Sequence, residues 1–435
     1  MTKALAPAAK RLESLDFVRG CALFGILLMN INGMGLGPAY DNPTIAGGDT
    51  GINLWTWIVI NVGFEGTQRA LFSMLFGAGV ILFTSRIEAT GRPDGADIFV
   101  RRNLWLIAFG MVNAWLLLWV GDILYYYGIT ALFLYAFRNL PGRKLMLLGV
   151  GTLLLGAAWS ANDTRRLLNL HQEAKAAELV APAARTDVQE KVIKKWQEKS
   201  RGGPTPEAYA EMRRVNTASY ASAFVARAER IKHEQSWSLY RYFFDIFGMM
   251  MLGMALFKLG VLTLEVRTRS YLAMIGGGYA VGLTGNILEA RWIMDHGFTA
   301  LAYTQASISY DVSRLAMTMG HLGLLMLFLR SGILPWVRQS MAAVGRMALT
   351  NYLTHSLVAL VIFVFLGWWG ALERHQLYYI VFAIWAVQIV ASPLWLKHFH
   401  FGPVEWLWRS LTYGKAQPFR KDVPPRAQRP EPVAA

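Results

Sequence analysis

Apolar runs of roughly 20 residues recur along the 435-residue chain, separated by short polar stretches. Each is long enough to cross the hydrocarbon core of a bilayer as a helix. Ten such runs stand out, at about 17–36, 66–84, 103–119, 121–138, 144–160, 239–258, 270–289, 306–329, 346–367 and 377–396. A further stretch, INLWTWIVINVGF at 52–64, is apolar but short, which predicts an interfacial or half-membrane helix leading into the second span. From 161 to 238 the pattern turns polar, rich in Ala, Glu, Lys and Arg, with a break at RGGPTP (201–206). That stretch predicts an insert of two or more helices. The last residues, AQPFRKDVPPRAQRPEPVAA at 416–435, are Pro-rich and charged and predict a disordered tail. The expected architecture is therefore an all-α polytopic membrane protein. Its first membrane half is 1–160, its insert 161–238, its second membrane half 239–414 and its tail 415–435.

Lys and Arg in the short loops set the orientation. With the N-terminus inside, the inner loops carry Arg86, Arg92, Arg101 and Arg102, then Arg138, Arg143 and Lys144. Lys258, Arg267, Arg269, Arg330 and Arg338 follow on the same side, against only Arg291 and Arg374 in the outer short loops. The bias predicts an N-in, C-in topology with the insert outside. Long loops translocate whatever their charge, so the basic insert does not oppose it.

Composition agrees. Residues are 54% hydrophobic and 16% charged, against about 25% charged in soluble proteins. The net charge of +15 would suit nucleic acid, but its clustering in particular loops assigns it to the membrane, with no nucleic-acid partner. A single cysteine, Cys21, excludes an intrachain disulfide and a Cys-rich metal site. The first ten residues lack the apolar core of a cleavable signal peptide. No P-loop, GxGxxG or GxSxG motif occurs, and the sequence carries no signature of an oligomeric state.

An ionisable side chain inside a span is costly, so each one marks a candidate site. The plain alternative is that polar groups join helices to one another. On the first span, Asp16, Arg19 and Asn30 share one sector, the last two about 16 Å apart along the axis. Arg19 is placed to pair with Asp16 or to receive a phosphate. In FEGTQRALFSMLFGAG (64–79), Glu65 and Arg69 have i, i+4 spacing, which predicts a helical ion pair or an acceptor-binding site. In LLLWVGDILYYYG (116–128), Asp122 sits where two spans meet, placed to cap the next helix or to act as a base, with Asn113 upstream. In SYDVSRLAMTMGHLG (309–323), Asp311, Arg314 and His321 spread over about 80° of helix arc. In GRMALTNYLTHSLVAL (345–360), Asn351 and His355 are i, i+4 neighbours in the densest uncharged polar patch. His321 and His355 are the histidines within spans, and either suits a general base. Zinc needs three or four convergent ligands, and no such set is evident, so no metal is expected.

Several of these segments occur together. LDFVRGCALFGILLMNI, EGTQRALFSMLFGAG, GDILYYYGI, FDIFGMMMLGMALFKLG, GRMALTNYLTHSL and FGPVEWLWRSLTYG appear in this order. The chain resembles the YeiB-like bacterial inner-membrane proteins, the family called domain of unknown function 418, from about residue 11 to 414. That resemblance implies a multi-pass protein of the bacterial inner membrane. The opening motif is also similar to that of membrane acyltransferases that modify sugars and peptidoglycan. Those proteins take an acyl group from cytoplasmic acyl-CoA and pass it to an acceptor on the far side. In many of them a histidine follows the first-span arginine eleven positions later. Here that position is Asn30, and an amide is no general base. The family commonly carries Gln near 355 and His near 113, where this chain has His355 and Asn113.

The resemblance implies a transferase in which Asp16, Arg19 and Asn30 hold acyl-CoA. His321, His355 or Asp122 would supply the base, and Glu65, Arg69, Asp311, Arg314 and Asn351 would face an envelope glycan or lipid acceptor. That reading expects Arg19, Asn30, His321 and His355 to converge on one cavity. Two other functions suit the residues. One is a permease for a small anionic or lipidic solute, lined by Arg19, Arg69 and Arg314. The other is an envelope scaffold acting through the insert.

Overall fold

Lipid offers a backbone no hydrogen bonds, so a chain that crosses it must satisfy them within helices. The computed structural model, which describes residues 12–200 and 202–421, is all-α apart from one isolated β-bridge. Helix α1 (Glu13–Leu36) is followed by α2 (Gly51–Phe64), α3 (Thr67–Ala89), α4 (Gly95–Met111) and α5 (Leu124–Leu134). Next come α6 (Gly142–Glu178), α7 (Asp187–Ser200), α8 (Pro206–Ala218) and α9 (Tyr220–Lys258). The chain ends with α10 (Thr268–Asp295), α11 (Ala300–Ser331), α12 (Pro335–Arg346), α13 (Ala348–Ala359), α14 (Arg374–His398) and α15 (Pro403–Tyr413).

Every expected span falls on a helix, but among the described residues only 7 helical stretches are long and apolar enough to cross a membrane. The expected runs 103–119, 121–138 and 270–289 are not among them. Helix α4 stops at Met111 and runs into a π-helical turn, Val112–Leu116. The chain then reverses at Leu118, whose φ is 56°. Helix α5 has 11 residues, about 17 Å at 1.5 Å per residue. Helix α10 is long enough but carries polar residues and glycines through its middle.

Helix α1 is the axis of the bundle, with 83% of its apolar window buried, against 11% for α6 at the periphery. Helices α6 and α9 have 37 and 39 residues, roughly 55–60 Å, well beyond the ~30 Å hydrocarbon core. The insert is therefore built by the ends of these two helices running past the membrane, with α7 and α8 between them. Helices α3 and α9 cross at Gly77 and Gly253. A Cβ on either would collide with the backbone of Met250 or Met74 opposite. That close crossing brings Arg69 and Asp245, each about two turns N-terminal to its glycine, within reach of one another.

Of the expected tail, residues 416–421 pack back on the bundle: the Phe419 ring lies 4.7 Å from Phe399 and 5.1 Å from Trp406, between centroids. Residues 422–435 lie outside the described residues.

Candidate functional site

Two cavities lie one above the other along α3. The larger, about 360 Å³, is at the insert end and is walled by α1, α2, α3, α6, α9, α10, α11 and the start of α14. Its charged lining comprises the carboxylates Asp41, Glu65, Asp245, Glu289 and Asp311 and the guanidinium groups Arg69, Arg241, Arg314 and Arg374. Asp245 is the hub. It accepts from Arg314 at 2.5 Å and lies 3.1 Å from Arg69, while Arg314 also reaches Asp311 at 2.9 Å. Arg314 is 2% exposed. Two desolvated cations sharing one carboxylate hold their geometry because any departure leaves a charge uncompensated. Glu65 lies outside this chain of pairs. It accepts from the hydroxyls of Tyr40 (3.2 Å) and Tyr310 (3.5 Å).

Four buried polar atoms on residues of this wall have no hydrogen-bond partner among the described residues: Asn32 Oδ1, Tyr303 Oη, Arg314 Nε and Arg374 Nε. Buried polar groups are costly when unpaired, and this set holds both acceptors and donors. Aromatic rings of Trp159, Tyr242 and Phe244 complete the wall.

The smaller cavity, about 150 Å³, is at the opposite end, beside the start of α1. Its body is apolar, formed by Phe72, Leu75, Phe76, Val80, Phe83, Phe99, Leu106 and Leu349. Arg19, Arg102 and Arg346 and the single carboxylate Glu405 also line it. Arg102 is sandwiched between the rings of Trp408, 3.7 Å from its guanidinium carbon, and Phe83, 4.8 Å away. Tyr127 and Tyr352, both fully buried or nearly so, close the deep end.

One helical turn divides the cavities. The Arg69 side chain faces the larger one. Its backbone oxygen accepts from Ser73 (2.9 Å) and from Tyr127 (3.2 Å), and these two hydroxyls are 2.6 Å apart.

The expected residues distribute as follows. Asp16 and Arg19 pair at 3.1 Å, and Arg19 lines the smaller cavity. Asn30 is partly exposed and lines neither cavity; the α1 amide that does is Asn32, which donates to Tyr378 at 2.8 Å. Glu65, Arg69, Asp311 and Arg314 meet in the larger cavity. The expected Glu65–Arg69 helical pair does not form, because Gly66, at φ 65°, separates α2 from α3 and turns Arg69 toward Asp245. Asp122 caps the next helix: it accepts from Tyr125 N at 2.9 Å and from Asn113 at 2.7 Å, and is 3% exposed. His321 bonds Gly63 O (2.9 Å) and Tyr279 (3.2 Å). His355 bonds Gln388 (3.0 Å), and Asn351 bonds Ser392 (3.2 Å), joining α13 to α14. Neither histidine lines either cavity, so Arg19, Asn30, His321 and His355 do not converge, and the transferase in the form the sequence suggested, with a histidine base beside Arg19 and Asn30, fails. Among the described residues no cluster of three or more His, Cys, Asp or Glu is placed to hold a metal ion.

Asp245, Arg374 and Glu405 were not singled out by the sequence. Asp245 interrupts FFDIFGMMM and meets the same criterion that selects Asp311, a carboxylate inside an apolar run. Arg374 reads from sequence only as a loop charge, yet it is buried and donates to Ala39 O.

Long apolar helices around charged internal cavities define a multi-pass membrane protein. Over 426 residues the chain is 30% identical to the uncharacterized protein YeiB of Escherichia coli (strain K12), covering 94% of this chain and 98% of that protein. It is 28% identical over 424 residues to the uncharacterized protein YxaH of Bacillus subtilis (strain 168), covering 95% and 96%. Residues 256–415 match the family model described as protein of unknown function (DUF418). The chain belongs to this YeiB-like DUF418 family.

Proposed function

We propose that the chain passes an acyl group across the membrane, from a cytoplasmic acyl-CoA in the smaller cavity to an acceptor hydroxyl in the larger one. The observation that carries this reading is the shared turn of α3. Arg69 faces one cavity, while the Ser73–Tyr127 hydroxyl pair on its backbone oxygen abuts the other. Under the N-in orientation that the loop charges predict, the smaller cavity faces the cytoplasm. There Arg19, Arg102 and Arg346 suit the phosphates of the donor, and the apolar body suits its acyl chain. The larger cavity balances five carboxylates with four guanidinium groups, which favours a nearly neutral ligand. Its unpartnered donors and acceptors suit a polyhydroxylated acceptor such as an envelope glycan.

In the step itself the acceptor oxygen bonds the thioester carbonyl carbon and the carbon–sulfur bond breaks. The acceptor proton passes to Glu65, and the departing thiolate takes a proton from the cytoplasmic side. Asp122 acts as a positioning residue through Tyr352, which accepts from the neighbouring Ile123 N at 3.3 Å. His321 and His355 have no part in this scheme.

The test is labelling of envelope glycans from radiolabelled acetyl-CoA in membrane vesicles. Loss of label in Arg19→Ala and Glu65→Gln vesicles is expected, and unchanged label overturns the reading. The charge-balanced wall of the larger cavity also suits a permease. Solute uptake into proteoliposomes without any acyl donor would favour that second reading.

A further inference from the structure

The segments GRMALTNYLTHSL and FGPVEWLWRSLTYG meet at one point, the Glu405 carboxylate. Its Oε1 accepts from the backbone N–H of Leu349 (2.7 Å) and Thr350 (2.9 Å). Its Oε2 accepts from the Thr350 hydroxyl at 2.5 Å. Glu405 belongs to α15, an 11-residue helix, and reaches across to the first turn of the separate helix α13. The carboxylate lies in the lining of a cavity that also holds Arg19, Arg102 and Arg346. Those three guanidinium groups come from α1, α4 and α12, so the cavity that Glu405 lines has a basic wall drawn from three separate helices. The anion there is the chain's own.

We propose that Glu405 is an internal competitor, occupying a phosphoryl-anion subsite of the smaller cavity until an incoming phosphoryl group displaces it. The subsite consists of the Leu349 and Thr350 N–H groups and the Thr350 hydroxyl, in a cavity that the three arginines also line. A phosphoryl group has the negative charge and acceptor oxygens to take over all three hydrogen bonds. Glu405 lies in the first turn of α15, a helix that is not one of the apolar spans, so its side chain can swing away without a span moving. The proposal rests on the reading of this cavity as the donor site but not on acyl transfer itself.

The experiment is equilibrium binding of coenzyme A and of inorganic pyrophosphate to the full-length protein in phosphatidylcholine nanodiscs, with thermal melting to establish that each variant is folded. Glu405→Gln removes the competing charge while keeping the shape. It is expected to bind both probes about fivefold more tightly than wild type, the change that about 1 kcal/mol of charge interaction at a helix start represents. Adding Thr350→Val to Glu405→Gln removes a subsite donor and is expected to cancel most of the gain. If charge removal alone acted at a distance, the double variant would keep the full gain, which overturns the displacement. Wild-type binding with an unchanged, folded Glu405→Gln also overturns the competitor while leaving the donor cavity standing. No binding by any variant overturns both. Phosphatidylglycerol nanodiscs separate the sources: loss of soluble-probe binding there, with binding kept in phosphatidylcholine, assigns the phosphoryl group to a lipid headgroup.

Discussion

The two cavities share a wall but solve opposite problems. In the larger one, cations and carboxylates neutralise each other: Asp245 serves both Arg69 and Arg314, and Arg314 also holds Asp311. The smaller one is an apolar slot with three arginines and one carboxylate. A self-neutralised wall with unpaired polar atoms selects a neutral, hydrogen-bonding ligand. An apolar slot lined by three arginines, one of them paired with Asp16, selects an anion attached to something greasy. The difference argues for two chemically distinct ligands, which a transferase needs and a simple permease does not.

Breaking the larger cavity has the largest expected effect. Asp245→Ala leaves Arg69 and the buried Arg314 without their shared carboxylate. Removing one partner of a buried pair costs about 3–5 kcal/mol. A sharp fall in melting temperature and in membrane yield is expected, partly rescued by adding Arg314→Met.

Arg19→Ala sharpens the contrast. Its side chain is about a quarter exposed, but the Asp16 carboxylate it pairs with is 8% exposed, so removing the arginine leaves a nearly buried charge short of a partner and costs stability. Melting is expected to fall and donor-dependent labelling to disappear, with Asp16→Asn added to Arg19→Ala restoring melting but not labelling. Labelling restored together with melting would make Arg19 structural.

The partition is tested by Tyr127→Phe, which deletes the hydroxyl bonded to Ser73 and Arg69 O. About 1 kcal/mol of stability is expected to go, with labelling reduced more than donor binding. His355→Gln and His321→Gln are expected to cost a similar amount of stability through their lost interhelical bonds, with labelling retained. Loss of labelling in a folded variant would restore a histidine base.

The smallest effect concerns pH. Glu405 lies in α15, outside the spans, and burial holds its carboxyl above the ordinary carboxylate value, against the lowering effect of Thr350. The folded state therefore takes up this proton before the unfolded chain does. The charged form is a burden above the folded value, and that burden fades as pH falls toward the ordinary carboxylate range. The melting temperature of wild type relative to Glu405→Gln is expected to rise as pH is lowered.

What the sequence made legible was set by local spacing. Asp16 with Arg19 and Asp311 with Arg314 are i, i+3 pairs that any helix brings together. Asp122 bonding Tyr125 N is equally local. The helices themselves follow from apolar runs that leave lipid no other solution. The partners of Arg69 and Glu405 were not legible, because they lie 176 residues away at Asp245 and 55 at Thr350. Which helix meets which depends on close crossings such as Gly77 with Gly253, and no periodicity reports those. Gly66 defeated the expected Glu65–Arg69 pair, since a single left-handed residue rotated the two out of register.

The most direct measurement reconstitutes the protein in proteoliposomes, with radiolabelled acetyl-CoA on the face bearing Arg19 and a sugar acceptor sealed on the other. The account predicts acylated sugar in the sealed compartment, absent when either Arg19→Ala or Glu65→Gln replaces wild type. Sugar crossing unmodified and independent of acetyl-CoA would contradict it.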